Sequence, residues 1–570
     1  MSFFRREKHT IFIIMRRPVL NSAFLDITVF FLILAAAVLR GYAFCGGDLD
    51  TYLPFILHEH DPSLFKNELL LGTLGSHPVY IWKFMAFFLQ WIDVRLLMQC
   101  AFCVQTFLIA AGAVVFFRTF FGSGRKWMLF LLLLAIPVTS GGYGVYGLNP
   151  YGYFHAGALA FGLVLLTYSL IDRGCWMTGG VLTGIMFLFH PVTAVYAMAF
   201  FIIRAVYDIV RKKKSGRIVL GACLLAATAL PSIIPAFHSF LTPAGSGIDA
   251  HLWRELARFR MNHGYFISAW VPDRFLQLAG CFLALFYVFR KHPAFNRLLP
   301  VMIAVAGGLA LAAIGDFFNV RLFLRLQFGR CSYFAYFLVV AFAAGALTDR
   351  ALWNNGKKAR CAWNIAFLIA LVITGNAALS GQPYFIKTII TALLIAAAGL
   401  VIVMSFRRVH PGLLFACLAG VVLTATLPRS FTLFNWTTAQ SLRDPWVAVG
   451  LWCGSSLPED EVVMIPLDNE NFRPRALRAT YCSWKDGAPH LFCDSTLSMW
   501  WRRMRNFGVT LSSKRSEFPV LYRDHAVNVA RAEGVRYVVF EKSLSPAAAG
   551  RTVYENSRFE VIDLGENAAR

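Results

Sequence analysis

The sequence predicts an α-helical polytopic membrane protein with about thirteen transmembrane helices, followed by a small soluble α/β domain at its C-terminal end. Three observations predict it. Of 570 residues, 58% are hydrophobic and only 15% charged, and the mean hydropathy is +0.58, whereas a soluble protein is about a quarter charged. The apolar residues come in runs of about 15 to 25, the length that crosses roughly 30 Å of hydrocarbon. After Pro428 the composition changes to a mixture of acidic residues and short β-rich runs.

The N-terminus carries Arg5, Arg6, Lys8, Arg16 and Arg17 ahead of an apolar run at 23–44. That run is too long for a signal-peptide core and reads as an uncleaved first span with its basic end in the cytoplasm. Further apolar runs lie near 94–117, 127–147, 154–171, 176–190, 192–207, 217–239, 275–290, 298–315, 328–347, 362–380, 385–405 and 411–428. Counted this way, the inner connections hold Arg118/Arg125/Lys126, Arg204 with Arg211 to Lys214 and Arg217, Arg290/Lys291/Arg297, Arg350/Lys357/Lys358/Arg360 and Arg407/Arg408. The outer ones are poor in Lys and Arg, with 254–274 the main exception. Pattern and count therefore agree, and an odd number of spans puts the C-terminus outside. The expected location is the cell (inner) membrane of a bacterium.

The formal net charge of +23 belongs to the same pattern. From Asn435 onward there are 17 Lys/Arg against 16 Asp/Glu, leaving 37 against 15 in the spans and their connections. The excess reports orientation, and no nucleic-acid partner is expected. Twelve cysteines lie mostly within apolar runs, the single CxxC pair, Cys100 and Cys103, among them, so neither a zinc site nor a disulfide scaffold is indicated. Cys482 and Cys493 are the pair that an oxidising outer compartment leaves open to bridging.

The domain division is 1–434 for the membrane part and 435–570 for the extracytoplasmic α/β domain. In the latter, 462–466 and 535–540 read as strands, and 496–507 and 523–533 as helices. Two outer connections are long enough to be functional, 45–93 and 241–274. The first includes an amphipathic stretch at 79–92, expected to lie along the interface.

The candidate chemistry collects in these loops. Gly46-Gly47-Asp48-Leu49-Asp50 puts two carboxylates at i and i+2 directly after the first span. Such a pair can take a proton from a hydroxyl or hold a divalent cation, Mg or Mn, between Asp48 and Asp50. The bland alternative is ordinary loop polarity. Asp61-Pro62 to Asn67-Glu68 reads as a turn and short helix carrying another acid, and His77-Pro78 follows. The segment 258–266, with Arg258, Arg260 and His263, suits phosphate, since a guanidinium fork matches its oxygens; an interfacial anchoring belt is the alternative. His190-Pro191, Asp316, Arg321, Arg325, Gln327 and Arg330 are the polar residues within or beside spans, where such groups usually face a cavity or a partner. His190 also suits a helix cap, and the three arginines suit snorkelling to lipid phosphate.

The layout resembles the GT-C superfamily of polytopic membrane glycosyltransferases, and the strings are most similar to bacterial GT-C-like proteins of undetermined activity. The resemblance rests on Gly47-Asp48-Leu49-Asp50-Thr51-Tyr52-Leu53-Pro54, Asp61 to Glu68, Arg260-Met261-Asn262-His263, Gln327-Phe328-Gly329-Arg330, and Trp484-Lys485 with Trp500 and Arg502. Glu68 stands where Asp is more usual, and Asn262 where a second His is. The resemblance implies transfer of a sugar from a polyprenyl-phosphate carrier to an acceptor glycan, lipid or protein on the extracytoplasmic face. Asp48, Asp50 and Glu68 become the catalytic candidates, and His77, Arg260, His263, Gln327 and Arg330 the substrate-binding ones. Competing expectations are a non-catalytic GT-C-derived subunit of a polysaccharide or cell-envelope assembly system, and a lipid or solute transporter.

Overall fold

The computed structural model describes residues 42, 44, 48–76, 80–121, 153–211, 215–241, 248–270, 283, 286, 293–348, 444–546 and 550–565, with the side chains of 76, 236–241, 263, 293, 340 and 343–348 excepted. The expected spans at 23–44, 127–147, 275–290, 362–380, 385–405 and 411–428, His77, the Gly46-Gly47 pair and the division at 434/435 lie outside the described residues.

Helix α1 (Leu49–His60) opens the first described segment and buries Leu49, Leu53, Phe55 and Ile56. Helix α2 (Tyr80–Phe88) occupies the amphipathic stretch and packs on α1 through Tyr52 stacked on Trp82, with centroids 4.5 Å apart. Its exposed face carries Tyr80, Phe84 and Phe87, with Trp91 just beyond, so that it is aromatic where a water-facing helix would be charged. The 61–68 segment is a turn in which Phe65 takes a φ of 60°. No helix carries Glu68, which precedes a 3-10 turn, Leu69–Ser76.

Four described helices are long and apolar enough to cross a membrane: α3 (Val94–Phe121), α6 (Pro191–Val210), α7 (Gly216–Leu241) and α9 (Pro293–Phe317). Shorter apolar helices α4 (Ala156–Asp172) and α5 (Trp176–Phe189) lie between α3 and α6. The chain is an integral membrane protein. Small residues allow close helix contact where lipid offers no hydrophobic drive. A Cβ on Gly162 of α4 would lie 2.6 Å from the Ile109 backbone nitrogen of α3, and one on Gly221 of α7 would lie 2.6 Å from the Trp176 carbonyl oxygen of α5.

Polar clusters mark both ends of α4. At its C-terminal end Asp172 is fully buried and accepts hydrogen bonds from Arg204 Nη1 at 2.7 Å and from Arg297 Nε at 2.9 Å, while Arg204 also pairs with Asp208. The three residues Asp172, Arg204 and Arg297 fall on connections that the charge pattern assigns to one side. At the other end His155 meets Asp48, described below.

After α9 come α10 (Arg321–Arg325), a 3-10 turn (Phe328–Cys331) and α11 (Ser332–Thr348). The second loop folds as α8 (Ala250–Tyr265), capped by Asp249 Oδ1 accepting from Leu252 N at 2.6 Å and kinked at Met261.

The C-terminal domain is a five-stranded sheet of order β2-β1-β3-β5-β4. Strands β1 (Val462–Met464), β2 (Ala479–Thr480) and β3 (Tyr537–Glu541) pair in parallel, and β3, β5 (Phe559–Asp563) and β4 (Arg551–Glu555) antiparallel. Period-two alternation divides the strand residues between two cores. Val463, Tyr537, Val539 and Val561 pack with α12 (Pro445–Ser456), and Met464, Val538, Phe540 and Ile562 with α15 (Asp494–Asn506) and α16 (Phe518–Ala532). Short helices α13 (Arg473–Ala476) and α14 (Gly487–His490) complete it. The second of these cores runs on into Trp253, Leu256, Ala257, Tyr265 and Phe266 of the 248–270 segment and Leu324 of α10, so the domain is docked on the loop helix α8.

Cys482 and Cys493 are not joined by a disulfide. The pairing left open from sequence does not form, because Cys482 is buried in the second core while Cys493 caps α15 beside Ser495.

Gly162→Val is expected to overpack the α3–α4 contact and cost about 1–3 kcal/mol. A lowered thermal transition of the detergent-purified protein measures it, and an unchanged transition would mean the helices part readily.

Candidate functional site

Asp48 stands at the N-terminus of α1, and Asp50 falls within its first turn. At about 100° per residue, positions i and i+2 of a helix face opposite ways, and the two carboxylates have different surroundings. Asp48 is 36% exposed at its side chain; Asp50 is 2% exposed.

Asp48 Oδ1 lies 3.0 Å from Lys485 Nζ and Oδ2 lies 3.1 Å from His155 Nε2. His155 is the N-cap of α4, and its Nδ1 accepts from Ala158 N at 3.2 Å, which leaves the proton on Nε2 to be donated to Asp48. Partial burial strips solvation from the Asp48 carboxyl and opposes its ionisation, but Lys485 and His155 outweigh that and hold it well below the usual carboxylate range. Three separate parts of the chain thus meet at one carboxylate: the first loop, the start of an apolar helix and the C-terminal domain.

Asp50 sits behind this point in a buried ionic cluster. Arg473 donates to Glu68 through Nε (2.6 Å) and Nη2 (3.1 Å), and through Nη2 to Asp486 Oδ2 (2.8 Å). Glu68 also accepts from Thr480 N at 2.9 Å and Leu70 N at 3.1 Å. Asp486 also accepts from Ser483 N at 2.9 Å. One guanidinium cannot balance three buried carboxylates. Burial therefore pushes the Asp50 carboxyl up to about 6, against the pull of Arg473 and with the help of Asp486, and its Oδ1 has no hydrogen-bond partner.

The arginines of the second loop are occupied internally. Arg260 Nε donates to the Trp484 carbonyl at 2.7 Å and Nη2 to the Lys485 carbonyl at 3.2 Å, with the guanidinium 5.2 Å from the Trp484 ring centroid. Burial brings it down to about 10, so it stays charged at neutral pH. Arg258 pairs with Asp316, which also accepts from Ser268 N at 2.7 Å. Arg321 and Arg325 both pair with Asp494 of the C-terminal domain, a protein partner in place of lipid phosphate. His263 lies in the last turn of α8.

Gln327 takes a left-handed φ of 51° and donates from Nε2 to Tyr265 Oη at 3.0 Å, while its carbonyl accepts from Tyr196 Oη. Arg330 follows in the same turn, and its charge acts on both Tyr265 and His190. His190 Nδ1 caps α6 through Thr193 N at 3.2 Å, and its ring centroid is 6.1 Å from that of His155. The structure thus brings Asp48, Asp50 and Glu68 together around the 473–486 segment, and it puts Arg260 one residue away through backbone. Gln327 and Arg330 form a neighbouring cluster around Tyr265. An apolar hollow lined by Phe116, Tyr168, Phe200 and Phe334 lies in the helical bundle, and none of the candidate residues lines it.

Sequence reasoning missed His155, Arg473 and Asp486 and did not assign a role to Lys485. For His155 a signal existed: a histidine at the start of an apolar run whose expected side is that of Asp48.

Both oxygens of Asp48 face donors and Asp50 faces Arg473, and among the described residues no group of three or more His, Cys, Asp or Glu has the arrangement of a metal site.

A family model described as a domain of unknown function (DUF6798) matches residues 444–507, which contain Arg473, Lys485 and Asp486. No curated protein matches the chain. Two solved structures match across nearly its whole length. ArnT from Cupriavidus metallidurans bound to undecaprenyl phosphate is 12% identical, with a TM-score of 0.46, over 96% of this chain and 99% of that one. The same protein in the apo state is 12% identical, with a TM-score of 0.45, over 97% and 99%.

Two outcomes are expected of the buried cluster. Arg473→Met leaves Glu68 and Asp486 buried without a counter-ion and should cost about 3–5 kcal/mol, read as faster proteolytic release of the C-terminal domain; resistance equal to wild type would remove Arg473 from the docking. Asp50 binds its proton more tightly folded than unfolded, so its contribution to stability is largest near pH 4 and is lost as pH rises to about 6. Asp50→Asn should therefore flatten the pH 4–6 part of the thermal-stability profile and raise stability at pH 7.5.

Proposed function

We propose that the protein is a membrane glycosyltransferase that moves a sugar from a polyprenyl-phosphate carrier to an acceptor hydroxyl on the extracytoplasmic face. The observation that carries this reading is Asp48: a partly exposed, ionised carboxylate held by His155 and Lys485 where the ends of apolar helices meet a folded polar domain. A polyprenyl chain dissolves only in the bilayer, so its phosphate must be met at such a boundary.

Asp48 is the general base. It takes the acceptor's proton as the acceptor oxygen attacks the anomeric carbon, and the phosphate departs from the opposite face with inversion. Cations near the departing phosphate stabilise the charge it gains. Asp50 and Glu68 act differently, since both are buried: Glu68 is fully hydrogen-bonded within the docking cluster, and Asp50 lies beside it with its carboxyl pushed up to about 6 by burial. Arg260 positions the 484–485 backbone, and Gln327 and Arg330 shape the adjoining turn. The acceptor is a glycan, lipid or protein that reaches Asp48 from the polar side.

Asp48→Asn should lower transfer by about a hundredfold to ten-thousandfold, the usual share of a general base, with expression and membrane insertion unchanged. The assay follows loss of sugar from a polyprenyl-phosphate-linked donor in membranes. Wild-type turnover retained in this variant would remove the base, and no turnover by the wild type with any such donor would favour a non-catalytic subunit.

A further inference from the structure

The turn that carries Lys485 is fixed on every side except at the lysine's own side chain. Arg260 holds the carbonyls of Trp484 and Lys485, Trp484 N donates to Leu467 O at 2.7 Å, and Trp500 Nε1 donates to Ser483 O at 3.0 Å. On the other flank Asp486 is clamped by Arg473 and by Ser483 N. So much buried polar structure around one short turn requires a reason, and its only product that reaches the surface carboxylate is the Lys485 ammonium, 3.0 Å from Asp48 Oδ1 and 3.9 Å from Glu470 Oε2.

A base paired to an ammonium is not ready to accept a proton. Each is accessible, Asp48 at 36% and Lys485 at 15% of the side chain. Lysine carries a compact charge with three rotatable donors on a flexible stem, so it can turn from a carboxylate to a neighbouring phosphate without moving its backbone. His155 is fixed by its cap on α4 and remains to orient Asp48 when the ammonium has left.

We infer that Lys485, supplied by the C-terminal domain, is a catalytic residue that exchanges partners: the phosphate of the lipid-linked donor draws the ammonium away from Asp48, and this exchange both binds the donor and frees the base. The inference rests on the glycosyl-transfer reading above. In the step itself the acceptor oxygen forms a bond to the anomeric carbon as the bond from that carbon to the phosphate oxygen breaks. The bonding pair leaves on the phosphate, where Lys485 faces the new charge, and the acceptor's proton passes to Asp48 and then to water. Without donor the ammonium returns to Asp48 and the carboxylate is again occupied. The C-terminal domain is thereby part of the active site, and its docking through Arg473 and Glu68 is a condition of activity.

Binding by the full chain in lipid nanodiscs tests this without turnover, with a polyprenyl phosphate and the corresponding uncharged polyprenol as probes. The wild type should prefer the phosphate. Lys485→Gln should lose roughly ten- to a hundredfold of phosphate affinity and leave polyprenol binding unchanged, and Lys485→Arg should retain most of the preference. Asp48→Asn removes the competitor for the ammonium and should bind the phosphate several-fold more tightly. Phosphate binding by Lys485→Gln equal to wild type would overturn the inference while leaving the donor reading intact, and so would an Asp48→Asn variant that binds no more tightly. A wild type indifferent to the phosphate would overturn both.

Discussion

The Arg473 guanidinium is the point on which the polar half of the molecule depends. It is 1% exposed and joins Glu68 of the first loop to Asp486 of its own domain, with Asp50 close enough to feel its charge. Ion pairs this deep add little net stability, because desolvation opposes attraction, but removing one partner is expensive. Such a joint sets geometry more than it sets stability. Here it fixes the register between α1 and the 483–486 turn, and with it the distance from Asp48 to Lys485. The Arg321 and Arg325 pairs to Asp494, and Trp253 donating to the Leu491 carbonyl, hold the same domain from the side of the second loop.

The acids of the site divide by exposure. Five carboxylates lie within this region, and burial assigns three of them to structure: Glu68 is saturated by donors, Asp486 anchors a turn, and Asp50, whose Oδ1 has no donor, takes up a proton as pH falls to about 6. Of the two accessible ones, Asp48 and Glu470, only Asp48 lies within hydrogen-bond distance of both Lys485 and His155. The same test separates the cations. Arg260 is used on backbone carbonyls and Arg258 on Asp316, so the phosphate fork expected of the second loop is turned inward, and the reachable cation beside the carboxylate is a lysine from elsewhere.

The architecture was legible where physics is local. Runs of apolar residues marked the helices that the structure describes, short β-rich runs at 462–466 and 535–540 marked the strands at 462–464 and 537–541, and the acidic loop contained the carboxylate at the centre of the candidate site. The hairpin Arg551–Asp563 escaped because its first strand is largely exposed, with charges at both ends and only Val553 and Tyr554 as apolar residues between them, a weak signal. The partners of Asp48 and Glu68 escaped for a different reason. Glu68 and Arg473 are 405 positions apart, and nothing in either neighbourhood specifies the other. The donors of Arg260 are consumed by the Trp484 and Lys485 carbonyls, and sequence carries no sign of that.

Helix α4 has 17 residues between its cap at His155 and Asp172, which gives it a length of about 25 Å, less than the roughly 30 Å of an ordinary hydrocarbon layer. Both ends are tied to ionic groups, and α4 is enclosed by its neighbours, so the two polar clusters stand closer together than the two faces of such a layer. At least one of them therefore lies within the depth of the hydrocarbon, screened from it by the surrounding helices.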